Sequence, residues 1–213
     1  MKKIMFNDKY GLTQAVLDGR KTQTRRIITY PKTFKGKDVW GFYVYKRKTD
    51  GVVTEVCMFD ENESSIDEGQ ILPKYKVEEV VAVTQSYRDC GGVNEVGVPM
   101  WEIISQNVGG TNAGWDNKMF VRADLMPHKI RITDVRVERL QDISEEDCLK
   151  EGIQKMLTGC EYYQYSFYDN DKNVWNNHKT PCEAFARLIN KVSRKDVWND
   201  NPYVFVYNFE LVK

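Results

Sequence analysis

The chain has 213 residues, 41% hydrophobic and 29% charged, the make-up of a globular protein of one or two domains. Its 31 Lys/Arg against 31 Asp/Glu exclude the overall basic excess of a protein that coats nucleic acid, so an anionic partner has to be met locally. No apolar run nears the roughly 20 residues of a membrane span, and Met1 to Asn7 turns polar too soon for a signal peptide, which predicts a cytoplasmic protein with no membrane contact.

In chain order, Lys2 to Phe6 reads as a short strand. Leu12, Ala15 and Val16 fall at i, i+3 and i+4 and predict a helix over 11–18, which Gly19 can close in the left-handed conformation. Arg20 to Arg26 then leaves the helix end as a basic, helical or turn-like segment. Val39 to Tyr45 and Val52 to Phe59 are aromatic and β-branched and predict two strands joined through Asp50-Gly51. A further strand is predicted over 77–85. Gly91, Gly92, Gly97, Gly109, Gly110 and Gly114 put too much glycine between Asp89 and Asn117 for regular core structure, so a long insert is expected there around a strand near Met100 to Ile104.

Lys129 to Leu140 is the clearest strand. Ile130 and Ile132 share one parity and Val135 and Val137 the other, which requires a bulge or corner near Thr133-Asp134. Ser144-Glu145-Glu146-Asp147 opens a helix over 144–151 that Gly152 ends, and Thr180-Pro181-Cys182-Glu183 opens another over 181–192. Between them Glu161 to Tyr168 forms an aromatic-polar insert whose rings suit either stacking on a base or covering a core. Tyr203 to Val212 is apolar on both parities and predicts a central, doubly covered strand. With no repeat, linker or series of long βαβ units, the expectation is a single α+β domain over 1–213 with inserts near 89–117 and 155–179.

Charge is distributed unevenly along this frame. Residues 1–48 hold 13 Lys/Arg against 3 Asp/Glu, and residues 49–100 hold 3 against 11. Either the first segment presents a positive face toward phosphate, or the two lie side by side and cancel. The five cysteines, Cys57, Cys90, Cys148, Cys160 and Cys182, form no Cys-x-x-Cys and read as free thiols. His128 and His178 lack accompanying ligand spacing, so no metal and no cofactor is expected; dinucleotide and P-loop glycine patterns are also missing.

Four blocks stand in a distinctive order: Gly19-Arg20-Lys21-Thr22-Gln23-Thr24-Arg25-Arg26; Tyr75 to Val83 running into Thr84-Gln85-Ser86-Tyr87; Ile132 to Asp147; and Trp198-Asn199-Asp200-Asn201-Pro202-Tyr203-Val204. In this order the chain resembles the ASCH domain family, especially its longer phage and bacterial members. The resemblance implies a PUA-like, mixed but mainly antiparallel β-barrel with short peripheral helices. It departs from the family at Val77-Glu78-Glu79, where Glu78 replaces the glycine usual in the turn before the middle strand.

The resemblance implies binding of RNA or a modified nucleoside beside the Gly-Arg-Lys-Thr segment, with Arg20, Arg25, Arg26, Gln85 and Tyr87 as substrate-binding candidates. One branch of the family consists of small amidohydrolases that deacetylate N4-acetylcytidine. Its catalytic Lys, Thr and Glu fall on Lys21, Thr24 and Glu151, with Glu145 or Glu146 replacing Glu151 if the register slips. The alternatives are a non-catalytic RNA-binding protein and a phage or host protein-interaction module.

The chemistry also follows from the residue types. A Thr hydroxyl needs an adjacent base, and a lysine three residues away on a helix or turn can supply it if burial or Arg20, Arg25 and Arg26 bring its pKa below about 10.4, while Glu151 pulls the other way. Because the three residues lie outside the apolar pattern, replacing them is expected to leave stability nearly unchanged.

Overall fold

The computed structural model describes residues 1–90, 98–108, 113–159 and 162–212; Gly91, Gly92, Gly97, Gly109, Gly110, Cys160 and Glu161 lie outside them. In chain order the elements are β1 (Lys3–Ile4), α1 (Leu12–Leu17), β2 (Gln23–Ile27), β3 (Thr33–Phe34), β4 (Lys37–Asp38), β5 (Gly41–Lys46), β6 (Val53–Phe59), β7 (Ser65–Gln70) and β8 (Val80–Val83). There follow α2 (Met100–Val108), β9 (Lys129–Arg139), α3 (Glu145–Lys150), β10 (Gln154–Thr158), β11 (Tyr162–Asp169), β12 (Val174–His178), α4 (Pro181–Ser193), α5 (Val197–Asp200) and β13 (Tyr203–Val212).

The architecture is α+β, with mostly antiparallel strands in several open sheets and short helices; the hydrogen-bonded ladders close no barrel among the described residues. The principal sheet runs β1-β8-β9-β13-β2, in which only β1 and β8 are parallel. Val204, Val206, Phe205 and Tyr207 are buried on both faces of β13, as its unbroken apolar run predicts. Opposite it, Asn208 pairs with Asp134 and Phe209 with Ile132, leaving Thr133 as the extra residue of a bulge where the apolar parity of β9 changes.

A second sheet, β5-β6-β7, contributes Val56 to the main apolar cluster, beside Val81, Ile130, Val204 and Val206 of the principal sheet. Ala82 belongs to another cluster, with Tyr87, Ile104 and Met126. Alternation along β8 thus gives the strand a core on each face.

The cap chemistry is as the sequence predicts. Gly19 takes φ 72°, and its amide and that of Arg20 return to Val16 O and Ala15 O, the double closure that terminates a helix through a left-handed residue. Ser144 accepts from Asp147 N at 3.1 Å and Thr180 from Glu183 N at 3.2 Å. Among the described residues no helix is long and apolar enough to cross a membrane.

Two expectations are corrected, and the aromatic insert takes a definite form. Arg20 to Arg26 is not helical beyond the cap: Gln23–Ile27 is a strand, paired with β13 from Asn208 to Val204. Such a polar strand hides its period because Gln23, Thr24 and Arg25 are all buried. Met100–Val108 is a helix rather than a strand; Ile104 and Val108, four residues apart, both belong to the cluster that also holds Ala82. The aromatic insert is a three-stranded sheet, β10-β11-β12, anchored through buried Phe167, which meets Tyr10 edge-on.

The basic N-terminal quarter divides. Lys2, Lys35 and Lys37 pair with Glu79, Glu68 and Asp60 of the acidic segment. Lys21, Arg25 and Arg26 turn instead toward a cleft beside β2.

Candidate active site

The cleft has a volume of about 940 Å³ and is walled by apolar side chains, among them Phe6 and Phe185. Lys21, Thr24, Arg25 and Glu151 all line it, although they come from the α1–β2 connection, β2 and the end of α3. Backbone bonds fix that meeting. Thr22 N donates to Lys150 O at 2.9 Å, and Phe209 N donates to Thr22 O at 2.9 Å, so the residues flanking the pair are tied to α3 and to the centre of the sheet.

Lys21 is 2% exposed and Glu151 5%. Lys21 Nζ donates to Glu151 Oε2 at 2.5 Å and to Glu151 O at 2.8 Å, and it lies 5.9 Å from the centre of the Phe6 ring. Gly152, at φ 104°, is required here: a Cβ would press on Leu12 Cδ2 at 3.3 Å and adopt a conformation that side-chain-bearing residues avoid. Burial pushes the Lys21 pKa below its ordinary value; Glu151 opposes this, and Arg26 and Arg25 add to it.

Arg25 orders the other side of Glu151. Its Nη1 donates to Glu151 Oε1 at 3.2 Å and to Gln23 Oε1, and its Nη2 donates to Glu138 Oε1 at 2.5 Å and Asp147 Oδ2 at 3.3 Å. Arg136 closes the network on Glu138 Oε2 at 3.0 Å and Asp147 Oδ2 at 2.7 Å. Burial works to raise the Asp147 pKa, but Arg136 and Arg25 outweigh it and hold the carboxyl below its ordinary value. In contrast to these saturated groups, the hydroxyl of Thr24 makes no hydrogen bond among the described residues, although Thr24 is buried at the cleft.

Of the other candidates, Arg26 lines the cleft, is exposed, and donates through Nη2 to Met5 O at 2.6 Å. Arg20 does not line it; it pairs with Asp18 and borders a separate cavity with Gly152 and Trp175. Gln85 and Tyr87 are not in the cleft wall either. Gln85 Nε2 donates to Asp89 O, and Tyr87 is buried in the cluster with Ile104, its hydroxyl accepting from Arg122 N at 2.9 Å. Glu145 and Glu146 stay on the first turn of α3, with exposed Glu146 paired to half-buried Lys150.

Sequence reasoning passed over Glu138 and Asp147. The signal available was the alternation Asp134-Arg136-Glu138 on one parity of β9, an odd set of charges for a strand in the middle of a sheet.

Chemically, the arrangement supplies a free hydroxyl, a lysine pushed toward neutrality by burial, and a carboxyl group joined to it through one short hydrogen bond. Among the described residues no group of three or more His, Cys, Asp or Glu side chains is placed to hold a metal ion. Comparison of the chain with family models, curated proteins and solved structures finds no match.

Proposed function

We propose that this chain is an ASCH-type, PUA-like amidohydrolase that removes an acyl group from an exocyclic amide of a nucleobase such as N4-acetylcytosine. Its principal sheet and the β5-β6-β7 sheet correspond in this reading to the two walls of the family's barrel. The observation that carries it is the convergence of Lys21, Thr24 and Glu151 in one cleft, the first and last separated by 130 positions. Glu78 adds support: it adopts φ 65°, the left-handed conformation that the family's glycine would take in the same turn.

Thr24 Oγ attacks the amide carbon as its proton passes to Lys21 Nζ, and the C–O bond forms. The departing nitrogen takes a proton from Glu151 as the C–N bond breaks, leaving an acyl ester on Thr24. Water then cleaves the ester to a carboxylic acid and restores the hydroxyl. Before substrate enters, transfer of the proton in the 2.5 Å Lys21–Glu151 hydrogen bond to the carboxyl creates both the amine base and the acid.

For the oxyanion, the amides after Gly19 are already used, since Arg20 N and Lys21 N donate to Ala15 O and Thr22 N to Lys150 O. Arg25 is held by Gln23 and three carboxylates. Arg26, with donors to spare at the cleft, is the group placed to meet the oxyanion in this reading.

The test is hydrolysis of N4-acetylcytidine by purified protein without added metal. Thr24→Val removes the hydroxyl without disturbing any hydrogen bond among the described residues, so turnover is expected to vanish while the melting temperature holds. Glu151→Gln is expected to cost about 10²–10⁴-fold in rate. Because amine and carboxyl share a single proton, turnover is expected to fall as pH rises through the Lys21 pKa, which lies below 10.5, where that proton leaves the pair and Glu151 has none to give. Activity that survives Thr24→Val, or a folded wild type inert on nucleosides and short acetylated RNA, sinks the catalytic reading and leaves nucleic-acid binding without catalysis.

A further inference from the structure

The cleft carries a charge imbalance that the deacylation chemistry does not use. Seven Lys and Arg side chains line it against the carboxylates of Asp8 and Glu151. Four of the seven are already paired: Lys21 and Arg25 with Glu151, Lys118 with Asp8, and Lys9 with Asp171. Arg26, Lys191 and Arg194 have no carboxylate partner among the described residues. The last two lie at the end of α4, with Tyr10 on the same cleft.

Arg194 occupies an unusual place. It follows the last residue of α4 at φ 57°, the left-handed closing position where glycine is ordinarily found because a Cβ is penalised there. Its guanidinium makes no ion pair or side-chain hydrogen bond among the described residues that would offset this. Among the described residues Lys191 Nζ donates only to the neutral Asn176 Oδ1, at 2.9 Å. Tyr10 is buried, yet its hydroxyl makes no hydrogen bond among the described residues; Lys9 and Arg194 are close enough to act on it electrostatically, as are the carboxylates of Asp169 and of Asp171, the partner of Lys9. The helix dipole favours cations near the end of α4, but it does not call for an arginine in the glycine position.

We infer that Arg194, Lys191 and the Tyr10 hydroxyl form a phosphate subsite at the α4 end of the cleft, so that the substrate is a phosphorylated nucleoside rather than a free one. This rests on the proposed function for placing the base beside Thr24. A guanidinium, an ammonium and a hydroxyl supply donors that match a phosphate monoester or diester, and the apolar side chains of the same cleft suit a planar base. A mononucleotide and a residue within RNA share this chemistry.

The experiment compares N4-acetylcytidine, its 5′-monophosphate and a short acetylated RNA by calorimetric binding and by turnover, in wild type and Arg194→Gly. Glycine relieves the left-handed backbone, so the melting temperature of the variant is expected to be unchanged or higher, and a loss of binding cannot be ascribed to unfolding. Wild type is expected to bind the monophosphate at least about tenfold more tightly than the nucleoside at low salt, and Arg194→Gly to reduce that ratio to near one. A steep salt slope with the RNA, absent with the monophosphate, identifies a polymer as the source of the phosphate.

Equal affinity for nucleoside and monophosphate in wild type, or a preference that survives in Arg194→Gly, overturns the subsite and leaves the deacylation reading intact. If no cytidine derivative binds or reacts but inorganic phosphate raises the melting temperature of wild type and not of Arg194→Gly, the subsite stands and the deacylation reading falls. If phosphate has no such effect either, both fall.

Discussion

Two regions stand apart by their residue types, the basic segment from Arg20 to Arg26 and the aromatic run from Tyr162 to Tyr168, and they behave in opposite ways. In the first, charged side chains go inside: Lys21 and Arg25 are buried with Glu151, Lys21 held by two oxygens of Glu151 and Arg25 by Gln23 and three carboxylates. In the second, apolar rings stay outside: Tyr162 and Tyr163 are exposed, and Phe167 alone among the aromatic residues of β11 is fully covered. A buried charge costs several kcal/mol unless its partners are set in place, whereas an exposed ring costs little, so order in the first region is bought with geometry. That contrast is what a functional site requires and what a peripheral sheet does not.

The largest effects should arise where a buried partner is removed. Lys21→Met leaves Glu151 with Arg25 as its remaining cationic partner and is expected to destabilise by about 2–4 kcal/mol in chemical denaturation, against the sequence expectation of near-neutrality; a loss under 1 kcal/mol would mean that the pair is solvated. Sign follows from burial: the folded chain binds fewer protons than the unfolded one between the lowered Lys21 pKa and 10.5. Wild-type stability should therefore gain on that of Lys21→Met as pH rises through this window. Phe167→Ala, at the anchor of the outer sheet, is expected to cost about 3–5 kcal/mol through the cavity it leaves.

Asp147→Asn is expected to cost about 1–3 kcal/mol at neutral pH by weakening the contacts to Arg136 and Arg25. Because the Asp147 pKa is lowered, its contribution is complete above 3.8 and vanishes as pH falls through the folded value. Acid titration of the two proteins should thus converge; a gap that persists below the folded value would assign the effect to packing. Glu78→Gly is expected to stabilise by about 1 kcal/mol by freeing a residue at φ 65°, and a loss would show that the Glu78 side chain contributes more than its exposed, 3.9 Å approach to Arg131 suggests. Tyr163→Ala should change stability by less than about 0.5 kcal/mol, and a larger cost would erase the contrast between the two regions.

What was legible in the sequence depended on whether local chemistry and tertiary packing agreed. Caps at Gly19, Ser144 and Thr180, the bulge at Thr133 and the doubly covered β13 could be read because each is set within a few residues. Strand β2 could not, since its polar residues are buried by partners far away in sequence, and α2 was obscured by flanking glycines. The residue types of Lys21, Thr24 and Glu151 were visible, but their shared cleft was not a local property. Gln85 and Tyr87 looked like neighbours because they follow a core strand, yet β8 leads them to the cluster that holds Ile104. The second layer of carboxylates, Glu138 and Asp147, is intelligible only once β9 and α3 stand on either side of Arg25.

The Thr22 backbone, which joins Lys150 on one side to Phe209 on the other, has a consequence for the order in which the molecule assembles. Lys21 and Glu151 are 130 residues apart, so their contact gains nothing until the long intervening chain has been closed by the β9–β13 and β13–β2 ladders. The pair is then a late acquisition, made on a sheet that already exists. In stopped-flow experiments Lys21→Met should accelerate unfolding by nearly its whole stability loss and leave the refolding rate almost untouched. The chain would in this way carry its most exacting electrostatics without asking them to guide the search for the fold.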